Sequence, residues 1–249
     1  MYTNFALGYH NIMKDTTQND FFEYYKKIFE KFNISPSLIL DLGCGTGDIT
    51  YLFAKDGYDM IGIDISFDML NIAKEKNNHE KILYLNQDMR EFELFGTVDV
   101  IYSALDCVNY ITDKRDLKKV FKLCKNYLNP NGIFIFDINT GYKYKNILDK
   151  NTFIYDTDNT YLVWQSEYLK KEKICTFFLD MFYKYDDTYK RFYEEQEQRE
   201  YSVEELIKIA KDSGFEILGI YDNLSFKKYN EKSEKIFFVL KKGNNKSER

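Results

Sequence analysis

Proline is almost missing from this chain, with two in 249 residues, and histidine is as scarce, with His10 and His79 alone. Two histidines cannot build a histidine-rich metal centre. The four cysteines, Cys44, Cys107, Cys124 and Cys175, form no C-x-x-C pair, so neither a zinc site nor a disulfide framework is expected, and no metal is assigned. Scattered unpaired thiols fit a reducing compartment. No stretch of about 18 apolar residues occurs, which leaves no candidate membrane-spanning helix. The opening Met1-Tyr2-Thr3-Asn4-Phe5 lacks the basic-then-apolar order of a secretory signal, and a cytoplasmic protein is expected. Positive charge is not in excess either. The net charge is −5 and the pI about 5.3, so the average field repels a phosphate backbone, and neither nucleic acid nor membrane is expected as a partner.

What is present is the composition of a folded protein, 44% hydrophobic and 30% charged, at a length that suits one large α/β domain with an elaboration. Aromatic residues reach 18%, with 22 Tyr and 21 Phe, an excess that the codons of an A- and T-rich genome produce without any functional demand.

The apolar pattern alternates between strand and helix. Phe21, Tyr25, Ile28, Phe29 and Phe32 share a helical face behind Asp20, which is placed to cap the first turn. Ser37 to Leu42 reads as a strand, followed by Gly43-Cys44-Gly45-Thr46-Gly47 and a helix carrying Ile49, Leu52 and Phe53 up to Gly57. A second strand, Met60 to Ile65, precedes a helix capped by Ser66. Strands at Ile82–Leu85 and Val98–Ser103 follow, then a helix with Leu117, Val120, Phe121, Cys124 and Leu128. Asn129-Pro130-Asn131-Gly132 is a stop signal ahead of a fifth strand, Ile133 to Ile138. Such alternation predicts a parallel sheet covered on both faces.

From about Thr152 to Tyr201 the pattern changes to Tyr-, Phe-, Val- and Thr-rich blocks separated at 156–159, 170–173 and 186–187, an inserted antiparallel sheet. Ser202 and Glu205 have capping-box spacing before a helix that ends at Gly214, and Phe215–Tyr221 and Lys235–Leu240 read as closing strands. The expected division is therefore 1–140 with 202–243 as one unit, 141–201 as an inserted β subdomain, and 244–249 as a flexible tail.

Between the first strand and its helix, glycines at 43, 45 and 47 permit a sharp turn and a close backbone approach to a ligand. A dinucleotide loop reads G-x-G-x-x-G and offers its helix N-terminus to a pyrophosphate. Here the spacing is G-x-G-x-G with Asp48 next, and an aspartate is repulsive beside a diphosphate but compatible with a sulfonium and an ammonium. Asp41 fits the same logic. Asp64, at the end of the second strand, is placed to accept from two ribose hydroxyls, and Asp88 to accept from an adenine amino group with Met89 against the ring.

The run Leu38 to Thr50, Gly62-Ile63-Asp64-Ile65-Ser66 with Met69-Leu70, Asn86-Gln87-Asp88 and Asn129-Pro130-Asn131-Gly132 together resemble the ordered motifs of class I S-adenosylmethionine-dependent methyltransferases over roughly residues 35–140. The resemblance implies a Rossmann-like, seven-stranded and mostly parallel sheet with helices on both faces and an antiparallel final hairpin, here with an inserted antiparallel lid. It implies S-adenosyl-L-methionine as cofactor, held by Asp41, Gly43, Cys44, Gly45, Gly47, Asp64, Ile65, Met69, Asp88 and Met89. It also implies Leu105 near the methyl group, and Tyr9 in Phe5-Ala6-x-x-Tyr9 as part of a segment folding over the cofactor.

Methyl transfer from a sulfonium is an in-line displacement that needs alignment more than acid–base chemistry. Asp106, Asn109 and Tyr110 follow the fourth strand on the crevice side and are the candidates to orient an acceptor or take its proton. Asn139 ends the fifth strand on the same side, and Trp164 and Arg199 lie in the insertion, as candidate substrate contacts. A small-molecule N- or O-methyltransferase is the expectation. An RNA or protein methyltransferase, a nicotinamide oxidoreductase and a non-catalytic binder of the same cofactor stay open as rivals.

Overall fold

The computed structural model describes residues 17–243, with Ala6, Gly8 and Ile12 ahead of them; Tyr9 and the 244–249 tail lie outside the described residues. Helix α1 spans Thr17–Phe32 and buries Phe21, Tyr25, Ile28 and Phe29. It begins three residues before Asp20, so that carboxylate sits inside the first turn, where it favours the positive end of the helix dipole, and is not the cap. There follow β1 (Leu38–Leu42), α2 (Asp48–Lys55), β2 (Asp59–Asp64), α3 (Phe67–Lys76), β3 (Ile82–Asn86), β4 (Val98–Ser103), a 3-10 turn (Cys107–Tyr110), α4 (Lys114–Tyr127) and β5 (Leu128–Asn139). A short helical segment over 141–148 leads to β6 (Thr152–Asp156), β7 (Thr160–Leu169), β8 (Ile174–Tyr185) and β9 (Thr188–Arg199). The chain closes with α5 (Val203–Asp212), β10 (Phe215–Asp222) and β11 (Lys235–Lys242).

The main sheet has seven strands in the order β3-β2-β1-β4-β5-β11-β10. Strands β1 to β5 run parallel, and β11 is antiparallel to both its neighbours. Alternate side chains go to opposite faces, as strand pleating requires. Leu40, Ile101, Phe134, Phe136 and Phe238 pack under α4 and α5, while Ile39, Val100, Ile135 and Phe237 pack under α1 and α2. The expected stop at Asn129-Pro130-Asn131-Gly132 is instead part of β5. Asn131 takes a φ of 67° and the pairing with β4 shifts between Val98 and Val100, so these turn-forming residues make a bulge within a strand.

Strands β6 to β9 form a separate antiparallel sheet in sequence order. Its inner face packs Leu162, Tyr168, Phe177, Leu179 and Met181 onto Tyr144 and Leu148. The N-terminal segment reaches this face, since a Cβ placed on Gly8 would stand 2.0 Å from Met181 Sδ and 3.1 Å from Thr160 Cγ2. Two caps hold the helices as the sequence anticipates. Ser66 accepts from Met69 N at 3.3 Å, and Ser202 with Glu205 closes a reciprocal capping box.

Candidate functional site

The glycine loop is drawn against the end of β2 by backbone bonds from Gly43 N and Cys44 N to Ile63 O, 2.8 and 2.9 Å. Gly43, Gly45 and Gly47 have φ of 90°, 55° and 74°, the left-handed region that side chains rarely adopt. Asp64 braces the loop, its Oδ2 accepting from Gly45 N and its Oδ1 from Ser66 N, both at 2.8 Å. Each oxygen keeps capacity for one more donor. Burial pushes the Asp64 pKa up, against those two backbone bonds. A Cβ on Gly45 would meet nothing within 4 Å, so the loop edges open space there. Beside it Ile65 is 65% exposed, an apolar side chain standing at the rim of a shallow depression of about 400 Å³ lined by Ile65, Asn86, Gln87, Asp88 and Glu91.

Not every carboxylate expected here faces that space. Asp41 is buried beneath the loop, where Oδ2 accepts from Thr50 Oγ1 at 2.5 Å and from Tyr102 OH at 2.8 Å. Burial pushes its pKa up to about 7, opposed by those two hydroxyls and helped by the nearby Asp64 charge. Asp88 accepts from Arg90 at both oxygens, 2.9 Å from Nε, and the guanidinium holds its pKa below the usual carboxylate range despite partial burial. Its carboxylate already has a surface partner. Met89 borders the loop, its Cε 3.3 Å from a Cβ placed on Gly43, and Cys107 Sγ donates to Gly43 O at 3.5 Å.

Past β4, Leu105 and Asp106 both take positive φ, 57° and 55°. Two consecutive left-handed residues without glycine cost roughly 1–2 kcal/mol each, and the surroundings hold them there. Asp106 N donates to Asp137 Oδ2 at 2.9 Å, Gln198 Nε2 donates to Asp106 Oδ2 at 2.6 Å, and Lys235 Nζ donates to Asp106 Oδ1 at 2.9 Å. Lys235 also pairs with Asp137. Against the pull of burial, Lys235, Lys143 and Gln198 keep the Asp106 pKa low, so this carboxylate stays ionised and is a poor proton acceptor. Asp137 is pushed the other way, by burial and by Asp106.

Asn109, expected as a group facing the acceptor, is fully buried and committed to backbone: Oδ1 accepts from Asn139 N at 2.9 Å, and Nδ2 donates to Arg199 O at 2.8 Å. It staples the ends of β5 and β9 to the 105–110 loop. Tyr110 is on the surface side of that loop, its OH donating to Gln196 Oε1 at 3.0 Å. The side chain of Asn139 donates to Gln198 Oε1 at 3.1 Å and accepts from Lys143 Nζ at 2.9 Å. Arg199 donates to Thr112 O at 3.3 Å and lies 5.9 Å from the Tyr201 ring. Trp164 faces inward among Phe153, Tyr155 and Phe177. Lys235, Lys143 and Gln198 went unnoticed in the sequence. A lysine heading the otherwise apolar Lys235-Ile236-Phe237-Phe238-Val239-Leu240 was the available signal for the first of them.

Among the described residues, no helix is long and apolar enough to cross a membrane, and no group of three His, Cys, Asp or Glu could hold a metal ion. In comparisons with known proteins, residues 39–132 match the family described as Methyltransferase domain. YqeM of Bacillus subtilis (strain 168), assigned by name to the methyltransferases, is 31% identical over 97% of this chain and 97% of its own length. The crystal structure of an S-adenosylmethionine-dependent methyltransferase from Clostridium acetobutylicum ATCC 824 is also 31% identical, with a TM-score of 0.87 over 97% of this chain and 98% of that one. The cofactor-bound structure of CalS10, an amino pentose methyltransferase from Micromonospora echinaspora, shares the fold at 15% identity, TM-score 0.74, covering 97% of this chain and 98% of that chain.

Proposed function

Since the chain belongs to the S-adenosylmethionine-dependent methyltransferases, we propose that it methylates a nitrogen or oxygen of a small molecule held between the 105–110 loop and the inner face of the four-stranded sheet. S-adenosylmethionine supplies an electrophilic methyl group on a sulfonium. The residues at the glycine loop fit this cofactor. Asp64, with spare acceptor capacity, suits ribose hydroxyls; exposed Ile65 and the depression beside it suit an adenine ring; and open space at Gly45 admits a ligand against backbone. We assign Cys44, Gly47, Met69, Met89 and Leu105 to the same site as neighbours of these groups in the loop and at the strand ends, and Asp41 supports the loop from below through Thr50 and Tyr102.

The observation that carries the acceptor side is the tie between β9 and the loop after β4. Gln198 bonds Asp106, Asn109 bonds Arg199 O, and Tyr110 bonds Gln196, so the inserted sheet and the crevice form one polar wall. Asp106 orients in this arrangement, its two oxygens being taken by Lys235 and Gln198. The acceptor's lone pair is aligned with the methyl group, and its departing proton passes to water or to a neighbouring side chain. The amino pentose methyltransferase named above, which has the same fold, acts on a small molecule, and this favours the same class here. The acidic net charge favours it over RNA, and the free thiols fit a cytoplasmic location.

The test is transfer from methyl-labelled S-adenosylmethionine to a bacterial extract split by ultrafiltration. A labelled low-mass product chromatographically distinct from S-adenosylmethionine, and absent without the enzyme, is expected; label transferred only to RNA or protein would overturn the small-molecule assignment.

A further inference from the structure

Cross-strand partners on the inner face of the four-stranded sheet line up in rows, because laterally paired residues point to the same side. The rows nearest the crevice end in Gln198 and Gln196, which bond Asp106 and Tyr110. The row farther out, Leu162, Met181 and Phe192, is met by the N-terminal segment at Gly8. Between them runs the row Trp164, Leu179 and Glu194.

The polar groups of that middle row are not used up. Glu194 is half-buried, receives a hydrogen bond from Gln196 Nε2 at 3.1 Å, and forms no ion pair with a lysine or arginine among the described residues. Burial raises its pKa against that one amide. The indole Nε1 of Trp164 is buried with no acceptor among the described residues. Its ring stands edge-on to Phe177 at 5.2 Å and 5.5 Å from Phe153. The neighbouring glutamates differ: Glu195 and Glu197 alternate to the exposed outer face, where Tyr193 OH donates to Glu195 at 2.7 Å. A half-buried carboxylate without a counter-charge is unfavourable, and a cation lying over Leu179, between Glu194 and the Trp164 ring of the same row, is favoured twice, by pairing with the carboxylate and by attraction to the ring face.

We propose that the row Trp164–Leu179–Glu194 is a recognition site for a protonated amine, which makes the acceptor an amine-bearing small molecule. This rests on the small-molecule assignment above and narrows it. Glu194 acts in recognition and takes no proton in the transfer. Gln196, bonded on one side to Glu194 and on the other to Tyr110, sets the amine subsite against the loop that aligns the acceptor.

The chain has one tryptophan, so its emission reports on this row. Protein loaded with S-adenosylhomocysteine is titrated with ethanolamine, tyramine and glucosamine, each beside its counterpart lacking the amine: ethylene glycol, 4-ethylphenol and glucose. At least one amine is expected to change the Trp164 emission saturably, with its counterpart at least about tenfold weaker, as loss of one charge-assisted contact predicts. Glu194→Gln, which keeps shape and the Gln196 contact, should weaken the amine response by a similar factor and leave S-adenosylhomocysteine affinity unchanged; Glu194→Asp should restore part of it. Equal response to amine and counterpart, no response to any amine, or full response in Glu194→Gln would each overturn the proposal. In the extract assay, a labelled low-mass product resolved from S-adenosylmethionine and retained on a cation exchanger in acid supports it. Low-mass label that flows through overturns the amine alone, whereas label in macromolecules overturns the parent assignment.

Discussion

Lys235 and Asp106 stand 129 positions apart in the chain and 2.9 Å apart in the fold. The same ammonium pairs with Asp137, so one buried cation at the head of β11 neutralises carboxylates from the ends of β4 and β5. Replacing Lys235 by Met strands both carboxylates in the interior. Loss of one member of such a buried group costs about 3–5 kcal/mol, and urea unfolding at neutral pH should show a loss of that order. Asp106 has a depressed pKa in the fold, so its stabilisation is present above the ordinary carboxylate range and fades as pH falls. The gap between wild type and Lys235→Met should therefore narrow in acid, and a gap independent of pH would remove the electrostatic explanation.

Gly45 and Gly47 both need positive φ, but only one has room. Alanine at 45 meets nothing within 4 Å, so its cost is the left-handed backbone alone, about 1–2 kcal/mol. Alanine at 47 puts its Cβ 2.3 Å from Tyr84 OH and 3.1 Å from Ala73 Cβ, in a packed patch that cannot yield cheaply. About 3 kcal/mol or more is expected there. Thermal melting should separate the two, while calorimetry should show S-adenosylhomocysteine binding lost in Gly45→Ala although the protein remains folded. Retained binding in Gly45→Ala would move the ligand away from that loop edge.

The glycine loop and the helix caps were legible because their signals are local. The glycines at 43, 45 and 47, the Ser66 cap and the Ser202–Glu205 box are decided within a few residues, and each is found as expected. Asn109 shows where local reasoning stops. An amide after a parallel strand has the right chemistry for a substrate, but its partners here are backbone groups of Asn139 and Arg199, 30 and 90 residues away. Lys235 was overlooked for the same reason, since its meaning lies in carboxylates 98 and 129 residues distant. Pro130 and Gly132 read as a stop, and the sheet absorbed them as a bulge because β4 pairs with Leu128 before them and with Ile133 after them.

Asp41 provides a pH signature. Its pKa is raised to about 7, chiefly by burial, so between the ordinary carboxylate range and about 7 the folded protein holds a proton that the unfolded chain releases. Its contribution to stability is complete in acid, below the unfolded value, and is lost as pH rises through about 7. The side-chain amide of an Asp41→Asn variant stays neutral at every pH, and its oxygen can still accept from Thr50 and Tyr102. The variant should melt at least about 3 °C above wild type at pH 8, with the difference shrinking toward pH 5. A wild-type advantage at pH 8 would mean that the charge itself is needed by the fold.

Asp64 can be tested as a ribose contact with a change in the ligand as well as in the protein. Its oxygens already accept from Gly45 N and Ser66 N, and their remaining capacity is what two sugar hydroxyls would fill. A hydrogen bond to a charged group is worth about 1.5–3 kcal/mol, so the 2′-deoxy analogue of S-adenosylhomocysteine should bind wild type roughly tenfold or more weakly than the parent. In Asp64→Ala both ligands should bind weakly and alike, because the acceptor that told them apart is gone. Discrimination that survives the substitution, with both ligands weakened by the same factor, would place the ribose against another group and reduce Asp64 to a brace for the glycine loop.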